Sequence, residues 1–301
     1  METSKKIEPG EKVMAASGSC HLHWVCLESK QSSGGPMKSF PLFIVGSPRS
    51  GTTFLCSVLN AHPLIQLTNE CRIFALLKDM MDVGSNRPDL LSTACHDRFS
   101  NFGRRTLGAW VERFYREELE MTAPIWGDKH PSYADPTVLS GRTGSIECLP
   151  RSGSCLGLIR ELLPQARFIH IPRDPRHVAN SMLHKHWIGS IEDGIRVWEQ
   201  YVGEIIRFFD EIPAELALTV SYRTLIEDPV ATAAAIGQFL DLADASPISD
   251  FLMSQRSAPT PFSDPVTDIG DLYVIPDAPT GNDKLLALAG KTATCLGYAA
   301  A

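Results

Sequence analysis

Apolar residues fall into two patterns that take turns along the chain. Short apolar runs, Leu42 to Val45 unbroken and Phe168 to Ile171 and Leu216 to Val220 largely apolar, read as buried strands. Between them apolar positions recur at helical spacing, predicting helices over Phe54 to Leu59, Cys71 to Val83, Thr106 to Met121 and Ser154 to Leu163, the last stopped by Pro164. Ile191, Ile195, Trp198, Val202, Ile205, Ile206 and Phe209 define one long amphipathic helix in which Trp198 is a core residue, and Pro229 opens another helix running to Leu240. Strands alternating with helices imply an α/β fold in three layers, a parallel sheet flanked by helices on both faces. From Ser246 to Asn282 the chain is rich in Pro, Asp, Ser and Thr, which predicts a segment wandering over the surface before a final helix near Asp283 to Leu296.

The chemistry begins where the first strand ends. Gly46-Ser47-Pro48-Arg49-Ser50-Gly51-Thr52-Thr53 has the glycine spacing of a phosphate-cradling P-loop, but Thr52 stands where that motif requires its lysine. What remains is a P-loop-like turn able to hold a phosphate through backbone N–H groups, the Thr52 and Thr53 hydroxyls and the positive end of the helix dipole, with Arg49 in its middle. A simple NTPase is disfavoured. A second segment, Arg167 to Ser181, repeats the arrangement of strand, polar turn and helix. Asp174 is placed to cap the helix, Pro175 suits its first turn, and Val178, Ala179 and Met182 are expected to face the sheet. Arg173 then falls at the carboxyl end of a strand, where open α/β sheets bind ligands and a guanidinium grips phosphate bidentately.

The run Gly46 to Thr53 resembles the 5′-phosphosulfate loop of sulfotransferases that use 3′-phosphoadenosine 5′-phosphosulfate (PAPS), and the Arg173/Ser181 spacing resembles their 3′-phosphate element. Asn60-Ala61-His62-Pro63, Glu70-Cys71-Arg72, Gly127-Asp128-Lys129-His130-Pro131 and Val220-Ser221-Tyr222 are similar to segments of the tyrosyl-protein sulfotransferase branch and its bacterial relatives. The resemblance covers about Pro41 to Leu242. It implies a PAPS-dependent sulfotransferase that moves a sulfuryl group in line onto an acceptor hydroxyl, leaving adenosine 3′,5′-bisphosphate. Glu70 would be the general base, with Arg49 and Lys129 stabilising the reacting sulfuryl group. Arg49, Ser50, Gly51, Thr52, Thr53, Arg173, Ser181 and Tyr222 would hold the nucleotide, and Arg72 and His130 would meet the acceptor, His130 being the alternative base. No metal is required by that chemistry. The rivals are a P-loop kinase or other nucleotide phosphotransferase, against which the missing lysine and the 3′-phosphate element both speak, and a nucleotide-binding protein without catalysis.

Composition changes this picture little. The chain has 301 residues, 44% of them hydrophobic and 21% charged, which suits one sizeable α/β core, here residues 40–301. Residues 1–39 read as a flexible N-terminal extension; its Cys20/His21/His23/Cys26 cluster fits no zinc spacing. A formal charge of -7 argues against a nucleic-acid partner. Eight scattered cysteines are expected to be reduced thiols. With no leader-like segment and no long apolar run, no membrane association and a cytoplasmic location are expected, together with an acceptor that is a small metabolite, a sugar or glycan, or a natural product. Extra sequence at 137–154 and the tail after Ser246 depart from the family pattern.

Overall fold

The computed structural model describes residues 38–86, 92–136, 153–255 and 283–298. The extension, its Cys/His cluster, nearly all of the 137–154 segment and residues 256–282 lie outside the described residues. Five strands, β1 (Phe40–Val45), β2 (Ile65–Asn69), β3 (Ile125–Lys129), β4 (Arg167–His170) and β5 (Ala217–Thr219), form one sheet in the order β2-β3-β1-β4-β5. Every adjacent pair is parallel.

Strand β1 is central and buried along its whole length, as its apolar run requires. Its side chains alternate between two cores. Phe43 and Val45, with Phe168 of β4, pack under α2 (Ile73–Asn86), α3 (Thr93–Arg113), α4 (Leu156–Leu162) and α6 (Ile191–Glu211). Leu42 and Ile44, with Ile169, face α1 (Thr52–Asn60), α7 (Tyr222–Glu227), α8 (Pro229–Phe239) and α9 (Ser246–Gln255). The result is the expected three-layer α/β fold.

Several elements differ from their sequence expectation. Strands β2 and β3 carry no unbroken apolar run: Ile65-Gln66-Leu67-Thr68-Asn69 alternates, and Ile125-Trp126-Gly127-Asp128-Lys129 ends in polar residues that are nonetheless buried. Strand β5 lies at an edge and is half-exposed rather than buried. Helix α3 starts at Thr93 and continues as a π-helical turn over Phe114–Glu118. The apolar face of α5 (Pro175–His184) does not meet the sheet; Val178, Ala179 and Met182 form a third core with Ile195, Trp198 and Val202 of α6 and with Ala289 and Ala293. Gly194 allows that approach, since a Cβ there would lie 2.6 Å from the Ala179 Cβ. The first ten residues of the expected surface segment are helical, as α9, because Pro247 fits a helical first turn instead of breaking one. The terminal helix is split into Asp283–Leu288 and Gly290–Cys295, with Gly290 at φ 52°.

Cys56, Cys71, Cys95 and Cys155 are thiols, whereas Cys295 is disulfide-bonded, against the expectation of reduced thiols throughout. Among the described residues no helix is long and apolar enough to cross a membrane.

Candidate active site

The loop 46–51 leaves β1 where the sheet changes direction, with β3 on one side and β4 on the other, the position at which open α/β sheets bind ligands. Its path is set by crowding. A Cβ at Gly46 would lie 2.7 Å from the Ser50 Oγ and 3.0 Å from the Ile171 carbonyl oxygen. Gly51, at φ 99°, packs directly on the Tyr222 ring. It is also the N-cap residue of α1 and offers no side chain to cap that helix. The Ser50 Oγ is buried and has no hydrogen-bond partner among the described residues. A helix N-terminus with its first donors uncapped, beside a buried hydroxyl lacking a partner, is a place for an anion.

Two guanidinium groups converge there. Arg49, at φ 69°, donates from Nε to the Ser181 Oγ at 2.9 Å, and its guanidinium lies 5.7 Å from the Trp187 ring. Arg173 lies 4.4 Å over the Tyr222 ring, its Nη1 is 3.5 Å from the Arg49 carbonyl oxygen, and its Nε is buried with no partner among the described residues. Burial, and then the neighbouring Arg173 charge, hold Arg49 below the ordinary arginine range. Among the described residues neither guanidinium pairs with a carboxylate. Arg176, the other arginine of the run, is taken by Asp174, which also caps α5 by accepting from the Arg176 N–H. The Trp198 indole donates to the Arg173 carbonyl oxygen at 2.9 Å, so α6 fixes the backbone that aims Arg173.

A second cluster forms at the ends of β2 and β3. Lys129 is only 1% exposed, and its Nζ donates to the Thr53 Oγ1 at 2.9 Å and to the Glu70 Oε1 at 3.0 Å. The Glu70 N–H donates to the Lys129 carbonyl oxygen at 2.8 Å, extending the β2–β3 ladder by one bond. Glu70 itself remains 38% exposed, and Arg72 reaches its Oε2 at 3.6 Å from a mostly exposed position. Partial burial pushes the Glu70 carboxyl up, but the Lys129 hydrogen bond and charge, with His130 and Arg72, outweigh it and hold the group below the ordinary glutamate range. His130 is buried, and its Nδ1 accepts from the Ser132 N–H at 3.2 Å. Burial, reinforced by Arg72 and Lys129 against the opposing pull of Asp128 and Glu70, lowers its pKa to about 4. The ring is therefore neutral, and with Nδ1 accepting, its proton sits on Nε2.

The catalytic, nucleotide and acceptor residues expected from sequence thus fall into two groups that Lys129 joins through Thr53. Tyr222 is buried under the loop as a support for Gly51 and Arg173. Sequence reasoning passed over Asp128, which is fully buried, and Trp187, which is half-exposed beside Arg49. The signal for the first was a charged residue inside a strand that pairs with β1; for the second, an aromatic in the polar run His184-Lys185-His186-Trp187. Among the described residues no group of three or more His, Cys, Asp or Glu side chains is placed to hold a metal ion.

Residues 41–246, more than half of the chain, match the family described as the Sulfotransferase family. The chain belongs to the sulfotransferase family. It is 22% identical over 223 residues to protein-tyrosine sulfotransferase A of Caenorhabditis elegans, covering 72% of this chain and 54% of that protein. A putative protein-tyrosine sulfotransferase of Caenorhabditis briggsae is 25% identical over 210 residues, covering 67% and 65%. The chain therefore spans between about half and two thirds of the length of these curated relatives. Among solved structures, the sulfotransferase domain of the Synechococcus PCC 7002 olefin synthase superposes with a TM-score of 0.53 at 20% identity, over 88% of this chain and 98% of that domain. The sulfotransferase domain from the curacin biosynthetic pathway gives 0.53 at 16% identity, over 87% and 99%. At such identities the likeness is one of fold, and it spans most of this chain.

Proposed function

We propose that this chain is a PAPS-dependent sulfotransferase that moves the sulfuryl group to a hydroxyl of a small metabolite, sugar or natural product. The observation that carries this reading is the convergence of Arg49 and Arg173, without a carboxylate between them among the described residues, beside a loop that keeps P-loop glycines but has Thr52 in the lysine position. Two clustered guanidiniums, an unpartnered Arg173 Nε and an unpartnered Ser50 Oγ fit a ligand with separate phosphate groups.

In this reading the loop N–H groups, Ser50, Gly51, Thr52 and Thr53 hold the 5′-phosphosulfate, and Arg173 and Ser181 hold the 3′-phosphate. PAPS supplies the activated sulfuryl group. Glu70, exposed enough for a hydroxyl to reach it, accepts the acceptor proton as the acceptor oxygen bonds to sulfur. The sulfur–oxygen bond to the 5′-phosphate breaks, and Lys129 and Arg49 stabilise the charge that develops on the sulfuryl and leaving phosphate oxygens. His130 is the weaker choice of base, because its Nδ1 is engaged by the Ser132 N–H and its Nε2 carries the proton. It is suited to donate to the acceptor instead, while Arg72 stands at the rim as an anion contact.

Calorimetric titration with adenosine 3′,5′-bisphosphate and with magnesium-ATP tests the reading. Binding of the bisphosphate, weakened at least about tenfold by Arg173→Ala, is the expected result, since a charged hydrogen bond of this kind contributes about 1.5–3 kcal/mol. Tight magnesium-ATP binding with no response to the bisphosphate would sink it and promote a kinase.

A further inference from the structure

Asp128 is buried completely on β3, yet no step of the proposed reaction touches it. It precedes Lys129, so the two side chains leave opposite faces of the sheet: Lys129 toward Thr53 of α1, Asp128 toward the core that holds Tyr133 and Phe74. Its Oδ1 accepts from the Thr68 hydroxyl at 2.7 Å and from the Cys71 N–H at 3.2 Å. Its Oδ2 accepts from the Tyr133 hydroxyl at 2.8 Å. Tyr133 is itself fully buried and held edge-on by Phe43 and Phe74.

The partners of Oδ1 bracket Glu70 in sequence. Glu70 and Arg72 have φ values of 68° and 63°, a left-handed conformation that non-glycine residues adopt only at a cost of roughly 1–2 kcal/mol each. Something must hold the chain there, and the contacts at hand are the Glu70 N–H bond to Lys129 and the Thr68 and Cys71 bonds to Asp128. We propose that Asp128 is a positioning residue for the sulfuryl-transfer site: by gripping the turn on both sides of Glu70 and anchoring it to Tyr133, it sets the Glu70 carboxylate against the Lys129 ammonium. The inference rests on the sulfotransferase reading for its functional meaning. The juxtaposition it explains, Glu70 on Lys129 at 3.0 Å, is structural and can be tested separately.

The test follows the Glu70 carboxyl by carbon-13 NMR over a pH titration, its resonance assigned by difference with Glu70→Gln, in wild type, Asp128→Asn and Asp128→Ala. Asparagine keeps an oxygen that can accept from Thr68 and Cys71; alanine does not. Positioning through hydrogen bonds predicts that Asp128→Ala frees Glu70 from Lys129 and moves its titration up toward the ordinary glutamate value, while Asp128→Asn leaves it low. A purely electrostatic influence predicts the opposite sign, because losing a nearby negative charge lowers the Glu70 titration in both variants alike. Thr68→Val removes a single donor and must move Glu70 in the same direction as alanine, by less; it carries the test if Asp128→Ala does not fold. Unchanged Glu70 titration in Asp128→Ala, or in Thr68→Val where the alanine variant is unfolded, overturns the proposal. Adenosine 3′,5′-bisphosphate affinity, measured on the same samples, should stay within about threefold of wild type, since Asp128 lies across the sheet from the nucleotide loop. Failure of wild type to bind the bisphosphate would count against the sulfotransferase reading alone and leave the Glu70 result standing.

Discussion

Gly51→Ala isolates what the loop geometry demands. The substitution carries a backbone term and a contact term. At φ 99° a residue with a Cβ is strained by roughly 1–2 kcal/mol. The added methyl would also lie 2.5 Å from Cδ2 and 2.7 Å from Cε2 of Tyr222, far inside van der Waals contact. That ring has little room to retreat: it is 3% exposed, Phe54 meets it edge-on, Arg173 covers it at 4.4 Å, and its backbone N–H is bonded to the Pro172 carbonyl oxygen. Overpacking of this kind costs about 1–3 kcal/mol, so the total is about 2–5 kcal/mol, a large share of the 5–15 kcal/mol by which domains are stable. Urea unfolding read by circular dichroism measures it. The same substitution in a Tyr222→Ala background should cost only the backbone term, a non-additivity of about 1–3 kcal/mol. Equal costs in the two backgrounds would refute the contact argument, and a cost below about 0.5 kcal/mol in wild type would refute both terms.

Glu70→Gln should lower turnover with any accepted hydroxyl compound by about 10²–10⁴-fold, the range for a lost general base, while bisphosphate affinity measured by calorimetry stays within about twofold. His130 and His170, whose pKa values burial lowers to about 4 and about 3, remain neutral in the fold but protonate near their ordinary value when unfolded. Their stabilisation is present above about pH 6.5 and is lost as pH falls toward those values, at about 1.4 kcal/mol per pH unit for each group. Urea midpoints between pH 7 and about pH 4.5 should show that slope, and His170→Leu should remove about half of it, because among the described residues the His170 Nε2 has no partner to strand. Trp187→Ala, at a position 53% exposed, should change stability by less than about 0.5 kcal/mol yet weaken bisphosphate binding several-fold, because Arg49 loses the ring it rests beside. Calorimetry and thermal melts on that variant distinguish the two effects.

The central strand and both phosphate elements were legible because each joins a short, largely apolar run to a turn of distinctive residues: Leu42 to Val45 before the glycine loop, Phe168 to Ile171 before Arg173. Strands β2 and β3 were not, for a physical reason. β3 buries Asp128 and Lys129, and those side chains are tolerated inside only because Thr68, Tyr133 and Cys71 satisfy one while Thr53 and Glu70 satisfy the other. Those partners lie 57 to 76 residues away in sequence or follow the strand, so the pattern of β3 alone reads as a polar segment. The face of α5 was legible as apolar, but not what it covers, since periodicity gives the orientation of a stripe and not its partner. Glu70 and Lys129 were reachable only through family resemblance; nothing local in Asn69-Glu70-Cys71-Arg72 announces two left-handed residues.

The vacant lysine position of the loop has a structural answer. In the P-loop motif the cation and the cradle belong to one segment, so both follow the phosphates of the nucleotide. Here Thr52 is buried in that position and the ammonium arrives from β3, donating to Thr53 on one side and to Glu70 on the other. Moving the charge from the loop to the neighbouring strand places it at the boundary between the nucleotide loop and the exposed carboxylate. A cation there contributes little to holding a second or third phosphate. In the proposed reaction it would suit the sulfuryl group, which leaves the loop for an acceptor beside Glu70. The buried ammonium also links the two halves of the site: in the proposed reaction, release of Glu70 from Lys129 would raise the carboxylate's basicity as Lys129 turned toward the developing negative charge.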